Sequence, residues 1–370
     1  MSDPSAPSAV VSQAVPAHAR VAVLDVLRGV AALAVVVVHA LPLLAPSATL
    51  AIVPVFDFGS FGVLLFFLCS GTIIPATLER HQSLRRFWIR RVCRLYPLYW
   101  LSIGGALLGY AAGRTSLAGM ELHAARFAAQ PVATVLANIT MMQEFLGYPH
   151  LIYVYWTLTF ELAFYFLISA LFRLKLMGKI LPFSFGLLLV AFLVHLLAVL
   201  QILRLPNTNA LRNIDYLALM FVAVALYHVR RRERSRRAVV ALGGLALALI
   251  VLTAWQDPAI GTAWLVAAVL FGLAQRSTIR WFPRWLLYLG AISYSIYLLH
   301  PLVFALVPRI GGPLTTGLCW LSALLVCAAL AERWVERPGI ALGYYLTRNT
   351  RGTSRQDMPA PIVPLPGDVR

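Results

Sequence analysis

An apolar stretch near the N-terminus carries three ionisable residues. In LDVLRGVAALAVVVVHA, residues 24–40, Asp25 and Arg28 lie near the start and His39 lies well inside. An ionisable group at the centre of a membrane helix costs about 2.5–3.5 kcal/mol, so each needs a partner or a function. The eleven-residue separation of Arg28 and His39 brings both side chains to one helix face, about 16 Å apart along the axis, and Asp25 falls within about 40° of His39. The segment predicts a polar stripe from one membrane surface to mid-depth.

Two later apolar stretches carry polar side chains at helical spacing. In YWTLTFELAFYF, Glu161 has Thr157 and Tyr165 one turn away on either side. In AISYSIYLLHPL, three polar residues follow the spacing 0, 4, 7: Ser293, Tyr297 and His300. Each of these, like the pair Asp25 and Arg28, also fits a structural role as a partner of a neighbouring helix. Three such stripes in one bundle indicate a polar cavity.

The chemistry that suits such a cavity is general base catalysis on a hydroxyl. A histidine beside a carboxylate can remove a hydroxyl proton, so His39, oriented by Asp25 or Glu161, is the candidate base. Tyr165 and the Ser293, Tyr297 and His300 set are candidates for the substrate path or for donors to a developing oxyanion. The sequence contains no GxSxG elbow and no paired-metal spacing, and direct acyl transfer requires no protein nucleophile. No metal is expected.

An arginine cluster precedes the third apolar stretch. In FWIRRVCRLYP, Arg90, Arg91 and Arg94 are spaced three and four apart, as neighbours on a helix. Guanidinium groups so placed suit phosphates. The alternative is ordinary positive charge on a cytoplasmic loop, which is our interpretation of RRRERSRR at 230–237.

Composition places these segments in a membrane protein. The chain of 370 residues is 60% hydrophobic and 12% charged, with a mean hydropathy of +0.79, which is too apolar for a soluble core of this length. The net charge of +17 falls in short clusters between apolar stretches, as membrane topology requires, so no nucleic-acid partner is expected. Four cysteines without CxxC spacing predict neither disulfides nor zinc.

The elements that must position the polar residues are transmembrane helices. We place about ten spans, at 22–44, 58–78, 95–113, 150–172, 181–203, 213–229, 238–255, 260–275, 286–308 and 314–334. The loop 114–149 contains VATVLANITMM, which fits a re-entrant or interfacial piece. Clusters of Lys and Arg follow alternate spans, which predicts cytoplasmic termini.

The predicted organisation is a single all-α polytopic bundle. Residues 1–21 are expected to form a disordered cytoplasmic tail, residues 22–340 the membrane domain, and residues 341–370 a largely disordered cytoplasmic tail. The first 20 residues lack a basic n-region, so the first span is expected to be uncleaved. The oligomeric state is left open.

Six segments, in chain order, resemble the acyltransferase type 3 family of integral membrane acyltransferases. They are LDVLRGVAALAVVVVHA with its Arg-x10-His spacing, FGVLLFFLCSGTIIP, FWIRRVCRLYPLYW with Arg-x-x-Arg, YWTLTFELAFYF, ISYSIYLLHPL and ERWVERP. The resemblance covers residues 22–340. Thr72 stands where the family often has Phe after Ser-Gly, a departure that concerns packing more than chemistry.

The resemblance implies a multi-pass protein of the bacterial inner membrane that transfers an acyl group, usually acetyl, from cytoplasmic acyl-coenzyme A to a hydroxyl of a glycan or lipid-linked sugar. The residues that match the family's motifs are Arg28, His39, Arg91, Arg94 and Glu161. Members of this size and single-domain form decorate exopolysaccharide or other surface glycans. Since the chain ends soon after the tenth span, we expect it to present the acyl group to the acceptor itself.

Two other classes of protein remain as alternatives. A proton-coupled transporter of a sugar or lipid-linked intermediate would use His39, Glu161 and His300 as a proton relay. A structural subunit of a polysaccharide export complex would release no thiol from acetyl-coenzyme A. The sequence shows no two matching halves with interrupted helices, which speaks against a transporter.

Overall fold

The polar segments found in the sequence lie on long helices of one bundle. A computed structural model describes residues 17–112, 124–203, 208–231, 236–277, 279 and 281–348, and these contain no β-strand. The first eight helices are α1 (Ala17–Leu44), α2 (Pro46–Ile52), α3 (Phe58–His81), α4 (Leu84–Ala111), α5 (Ala124–Ala129), α6 (Pro131–Ile139), α7 (Tyr155–Arg173) and α8 (Ile180–Val199). They are followed by α9 (Thr208–Arg231), α10 (Arg236–Gln256), α11 (Pro258–Arg276), α12 (Arg284–Ala291), α13 (Ser293–Leu306), α14 (Pro313–Ala331) and α15 (Arg337–Leu346). The prediction of an all-α membrane bundle is confirmed.

Nine of the ten predicted spans fall on a single helix and the ninth, 286–308, on two, α12 and α13; the count of ten is not confirmed. Seven helical segments in the described ranges are long and apolar enough to cross a membrane. An eighth is gained if α12 and α13, which meet at a bend of 67°, count as one span. Neither α4 nor α9 is among the seven, and α4 carries an arginine cluster in its first three turns. The cytoplasmic placement of the termini stays a prediction.

Two boundaries differ from the predicted spans, and both affect the site. Helix α4 begins at Leu84 rather than near residue 95, with Ser83 Oγ accepting a hydrogen bond from the Arg86 amide at 3.4 Å. The arginine cluster is therefore helical and continuous with the apolar part of α4. Helix α7 begins at Tyr155, and residues 150–154 are not helical, although they were predicted to start the fourth span.

The loop before α7 is held onto the bundle by Asn138, at the end of α6. Its side chain accepts from the Leu151 amide at 3.1 Å and donates to the Pro149 carbonyl at 2.9 Å. Helix α6 has nine residues and rises about 13 Å, too little to cross a bilayer. This agrees with an interfacial or re-entrant position for VATVLANITMM.

Helices α1 and α13 lie at the centre of the bundle. α1 packs against α3, α12 and α13, and α13 is buried continuously from Ser293 to Phe304. α1 and α12 touch backbone to backbone, because a Cβ added at Gly290 would lie 2.1 Å from the carbonyl oxygen of Asp25. The polar stripe of α1 is thus partly covered by neighbouring helices, with the Arg28 and Asp25 side chains 17% and 18% exposed.

The C-terminal part of the bundle packs against α4. After α14, one π-helical turn, Glu332–Glu336, leads into α15. Gly339 approaches the carbonyl oxygen of Cys93 so closely that an added Cβ would lie 2.3 Å from it. α15 extends to Leu346, beyond the predicted domain end at 340, and α1 begins at Ala17, inside the predicted N-terminal tail. Residues 1–16 and 349–370, which make up most of the predicted tails, lie outside the described residues.

Candidate active site

A narrow polar cavity lies between α1, α3, α4, α7 and α13. Its volume is about 80 Å³, room for several water molecules. The polar lining consists of Arg28, Ser70, Arg91, Arg94, Thr157, Glu161, Tyr165, Tyr294 and Tyr297. Three guanidinium groups and one carboxylate therefore share a small space inside the bundle, and the predicted polar cavity is present.

The arginines of α4 point in two directions. Arg91 and Arg94 line the cavity, and the Arg91 guanidinium lies between the rings of Phe87 and Tyr165, 5.6 and 5.5 Å from their centroids. Arg90 lies instead against α15, where Nε donates to Thr347 Oγ1 at 2.9 Å and the guanidinium lies 4.1 Å from the centroid of the Tyr344 ring. The predicted grouping of all three arginines at one phosphate site thus differs from the structure, because Arg90 faces α15.

The acidic end of the α1 stripe neighbours the same cavity. Arg28, which lines it, has a carboxylate oxygen of Asp25 3.8 Å from its guanidinium, one turn earlier on α1. Asp25 itself is not among the lining residues. Its position fits the ion-pair alternative of the sequence analysis.

Glu161 is held in the cavity by two hydroxyl groups. Tyr165 donates to its carboxylate at 2.5 Å from the next turn of α7, and Ser70 donates at 3.3 Å from α3. The Ser70 bond directs the carboxylate toward α3, and Glu161 lines the cavity together with the three arginines. It makes no hydrogen bond to a histidine among the described residues.

His39 belongs to a second cluster, formed with His300 of α13 and Tyr153 of the loop before α7. The two imidazole rings are stacked, with centroids 5.1 Å apart, and the Tyr153 ring lies 4.3 Å from His39. Nε2 of His300 lies 3.2 Å from both Nδ1 of His39 and the hydroxyl of Tyr153. The expectation that Asp25 or Glu161 orients His39 differs from the structure, where its partners are His300 and the Val35 carbonyl.

The backbone around both histidines fixes which ring nitrogen carries the proton. Nδ1 of His39 lies 2.8 Å from the carbonyl oxygen of Val35, and Nδ1 of His300 lies 3.3 Å from that of Ile296. A carbonyl only accepts hydrogen bonds, so we assign protons to both Nδ1 atoms. Nε2 of His300 then accepts from the Tyr153 hydroxyl, and the Nδ1 proton of His39 lies nearer the Val35 carbonyl than Nε2 of His300. Nε2 of His39 keeps a lone pair with no partner among the described residues. That lone pair can accept a proton.

Tyr153 stays a hydrogen-bond donor in this arrangement. It lies outside the helical spans, and burial raises the pKa of its hydroxyl well above the usual value, with a smaller contribution from Tyr297. The protonated hydroxyl therefore donates to Nε2 of His300 near neutral pH.

Tyr297 connects the cavity to the histidine pair. It lines the cavity, its ring centroid lies 6.1 Å from that of His300, and its hydroxyl lies 2.5 Å from Thr157 Oγ1. His39 does not line the cavity. The arginines thus share the cavity with Tyr297, whereas His39 lies outside it and contacts Tyr297 only through His300. This differs from the expectation that the polar stripes meet in one cavity.

The other residues predicted to line the substrate path do not all lie at the cavity. Tyr165 lines the cavity and His300 contacts His39, as described above. Ser293 is fully buried at the start of α13, and its hydroxyl has no hydrogen-bond partner among the described residues. It does not line the cavity. Its position marks the bend between α12 and α13.

Sequence reasoning missed Tyr153 and Tyr294. Tyr153 lies in the segment predicted as the start of a span, where nothing distinguished it from the neighbouring aromatic residues. Tyr294 lines the cavity and donates to the carbonyl oxygen of Leu95 on α4 at 2.9 Å. Tyr294 lies three residues before Tyr297, which is a spacing of helical neighbours, and this signal could have found it.

Comparisons with known proteins agree with this architecture. A family model described as an acyltransferase domain, that of the acyltransferase type 3 family, matches residues 21–331. No curated protein and no solved structure gave a match. Within the described part of the chain, no group of three or more His, Cys, Asp or Glu side chains could hold a metal ion.

Proposed function

The chain belongs to the acyltransferase type 3 family, and we propose that it transfers an acyl group from acyl-coenzyme A to a hydroxyl of a glycan or lipid-linked sugar. A multi-pass membrane acyltransferase needs a site for a charged donor and a base for the acceptor. The observation that carries the proposal is the arrangement of three guanidinium groups in one cavity with a histidine pair directly beyond Tyr297.

The donor's phosphates are proposed to bind at Arg28, Arg91 and Arg94. These side chains line one cavity, and guanidinium groups bind phosphate oxygens through charge-assisted hydrogen bonds. Glu161, fixed by Tyr165 and Ser70, balances part of this positive charge in the empty cavity. Acetyl is the acyl group that family resemblance favours.

His39 is proposed as the general base. Its Nε2 takes the proton of the acceptor hydroxyl while that oxygen attacks the thioester carbonyl, and the new C–O bond gives a tetrahedral intermediate. The C=O bond re-forms as the C–S bond breaks. The coenzyme A thiolate leaves and takes the proton from His39, so the base is regenerated. Val35 and His300 hold the ring in the orientation that presents Nε2, and general base catalysis of this kind contributes about 10²–10⁴-fold.

Tyr297 is proposed to line the passage through which the acyl group reaches His39. Its hydroxyl, 2.5 Å from Thr157 Oγ1 and 3.2 Å from the Val154 carbonyl, can turn to donate to the oxyanion of the tetrahedral intermediate. The cavity is narrow at about 80 Å³, so donor binding requires the side chains around Tyr297 to move.

The acceptor is proposed to arrive from the side of the membrane opposite the arginines. Tyr153 reaches the histidine pair from the loop before α7, and the distribution of Lys and Arg predicts that this loop is extracytoplasmic. Acylation would then occur across the bacterial inner membrane, with the donor on the cytoplasmic side.

Two measurements test the proposal. Membranes that contain the chain should release thiol from acetyl-coenzyme A when an acceptor glycan is present, and membranes without it should not. Mass spectrometry of the host's surface polysaccharide should show an acyl group that disappears when the chain is absent. Sugar uptake without thiol release would instead support the transporter alternative and contradict acyl transfer.

A further inference from the structure

A separate basic groove lies where the start of α4 meets the end of α15. Its volume is about 230 Å³. Seven residues line it: Ser83, Arg85, Arg86, Ile89, Leu346, Thr347 and Arg348. Three of the seven are arginines and none is acidic, although the arginines come from segments more than 250 residues apart in the chain. The fold therefore brings positive charge together here without a compensating carboxylate.

No acidic side chain in the described part of the chain neutralises the three arginines of this groove. Arg85, Arg86 and Arg348 form no ion pair with any described acidic residue. The groove lies between the N-terminus of α4, capped by Ser83, and the C-terminus of α15 at Leu346. The dipoles of the two helices oppose each other there, so the three arginines supply the positive potential. An anion is the ligand that this combination favours.

The groove is distinct from the acyltransferase cavity. At about 100° per residue, Arg86 and Ile89 lie about 140–160° from Arg91 and about 80–140° from Arg94 on α4, so the two sites occupy different faces of the helix. The groove shares none of its seven lining residues with the cavity. A ligand bound here would not be the phosphates held at Arg91 and Arg94.

An exposed apolar surface continues from the groove along both helices. On α4, Trp100 and Val92 lie within about 20° and 60° of Ile89 and are 49% and 41% exposed. On α15, Leu342 and Leu346 are each 50% exposed. Trp100 lies about 16 Å along the helix axis from Ile89, a distance that acyl chains of a lipid can follow into the bilayer.

We propose that this groove binds the phosphate headgroup of an anionic phospholipid in the cytoplasmic leaflet, with the acyl chains packed along α4 and α15. A phosphate in front of an apolar surface is the chemistry of a phospholipid, and basic pockets between helices at the cytoplasmic surface suit such headgroups. The proposal depends on the predicted orientation of the termini and is independent of acyl transfer. Arg90 of α4 contacts Tyr344 and Thr347 beside the groove and so stabilises the packing of α15 on α4.

The test is lipid retention by the full chain, measured by native mass spectrometry with phosphatidylglycerol or phosphatidylcholine as probe. The groove variant combines Arg85→Gln, Arg86→Gln and Arg348→Gln. The matched control combines Arg173→Gln, Arg276→Gln and Arg284→Gln, which removes the same charge from exposed arginines of predicted cytoplasmic segments. An arginine near an anionic lipid contributes about fivefold in affinity, so the groove variant should lose on the order of 100-fold for phosphatidylglycerol.

The expected result is that the original chain and the control variant prefer phosphatidylglycerol, whereas the groove variant holds both lipids equally weakly. An equal loss in both variants would show a general effect of positive charge and overturn the proposal. Equal retention of the two lipids by the original chain would overturn it as well. A third arm adds inorganic phosphate, and a phosphate adduct that forms in place of the lipid and requires the groove arginines would assign the site to free anions instead.

Discussion

Replacement of Arg94 by glutamine tests whether the cavity arginines hold the donor's phosphates. Arg94 lines the cavity with Arg28 and Arg91, so Arg94→Gln removes the guanidinium and its charge and leaves a shorter, neutral amide side chain. A hydrogen bond to a charged group contributes about 1.5–3 kcal/mol, which predicts a rise of about 10- to 150-fold in KM for acetyl-coenzyme A. The assay is the initial rate of thiol release at varied acetyl-coenzyme A concentration, normalised to the amount of folded chain. kcat should change little, because the phosphates are remote from the reacting carbonyl.

Arg90 provides the matched control for this measurement. It lies one turn before Arg94 on the same helix, but its guanidinium lies over Tyr344 and its Nε donates to Thr347. Arg90→Gln removes the same charge without changing the cavity lining. KM should stay within about twofold of its original value, while the melting temperature falls, because the cation–π contact contributes about 0.5–2 kcal/mol.

The result that would refute this reasoning is an equal rise in KM for both variants. It would mean that the basic cluster acts through its summed charge at the membrane surface rather than through side chains in the cavity. An unchanged KM in Arg94→Gln would remove this arginine from the donor site.

Four further perturbations follow from the contacts and the chemistry described above. Tyr153→Phe keeps the ring against His39 but removes the hydroxyl that donates to His300; a net hydrogen bond of about 0.5–1.5 kcal/mol predicts a 2- to 10-fold lower kcat with unchanged KM for the donor. Gly290→Ala places a methyl group 2.1 Å from the Asp25 carbonyl and should lower the free energy of unfolding by at least about 1–3 kcal/mol. Gly272→Ala, with nothing within 4 Å of the added Cβ, should leave the melting temperature unchanged or raised. Addition of EDTA should leave thiol release unchanged, since the proposed chemistry uses no metal.

Helical periodicity was sufficient to find the long polar stripes. Arg28 and Glu161 were predicted on the inner faces of their helices, and both line the cavity. The prediction worked because a membrane helix admits an ionisable side chain only where protein or water compensates it. The same reasoning predicted the helical character of every span, since the chain offers no other way to satisfy its backbone in lipid.

The contacts between helices could not be predicted in the same way. Arg90 and Arg91 are adjacent in sequence, and only the packing of α15 on α4 separates a structural arginine from a cavity arginine. His39 and His300 are 261 residues apart, so their pairing depends on which helices are neighbours. Tyr153 depends on a loop held by Asn138, and loop conformation leaves no periodic pattern in a sequence.

The most direct test of the account is acyl transfer by His39→Asn. The side-chain amide of asparagine can donate to the Val35 carbonyl, which Nδ1 of His39 approaches at 2.8 Å. Asparagine has no atom at the position of Nε2. The account predicts that the purified variant keeps its melting temperature and its affinity for acetyl-coenzyme A and loses about 10²–10⁴-fold in the rate of transfer. Transfer at a rate within about tenfold of the original chain would contradict a catalytic role for His39.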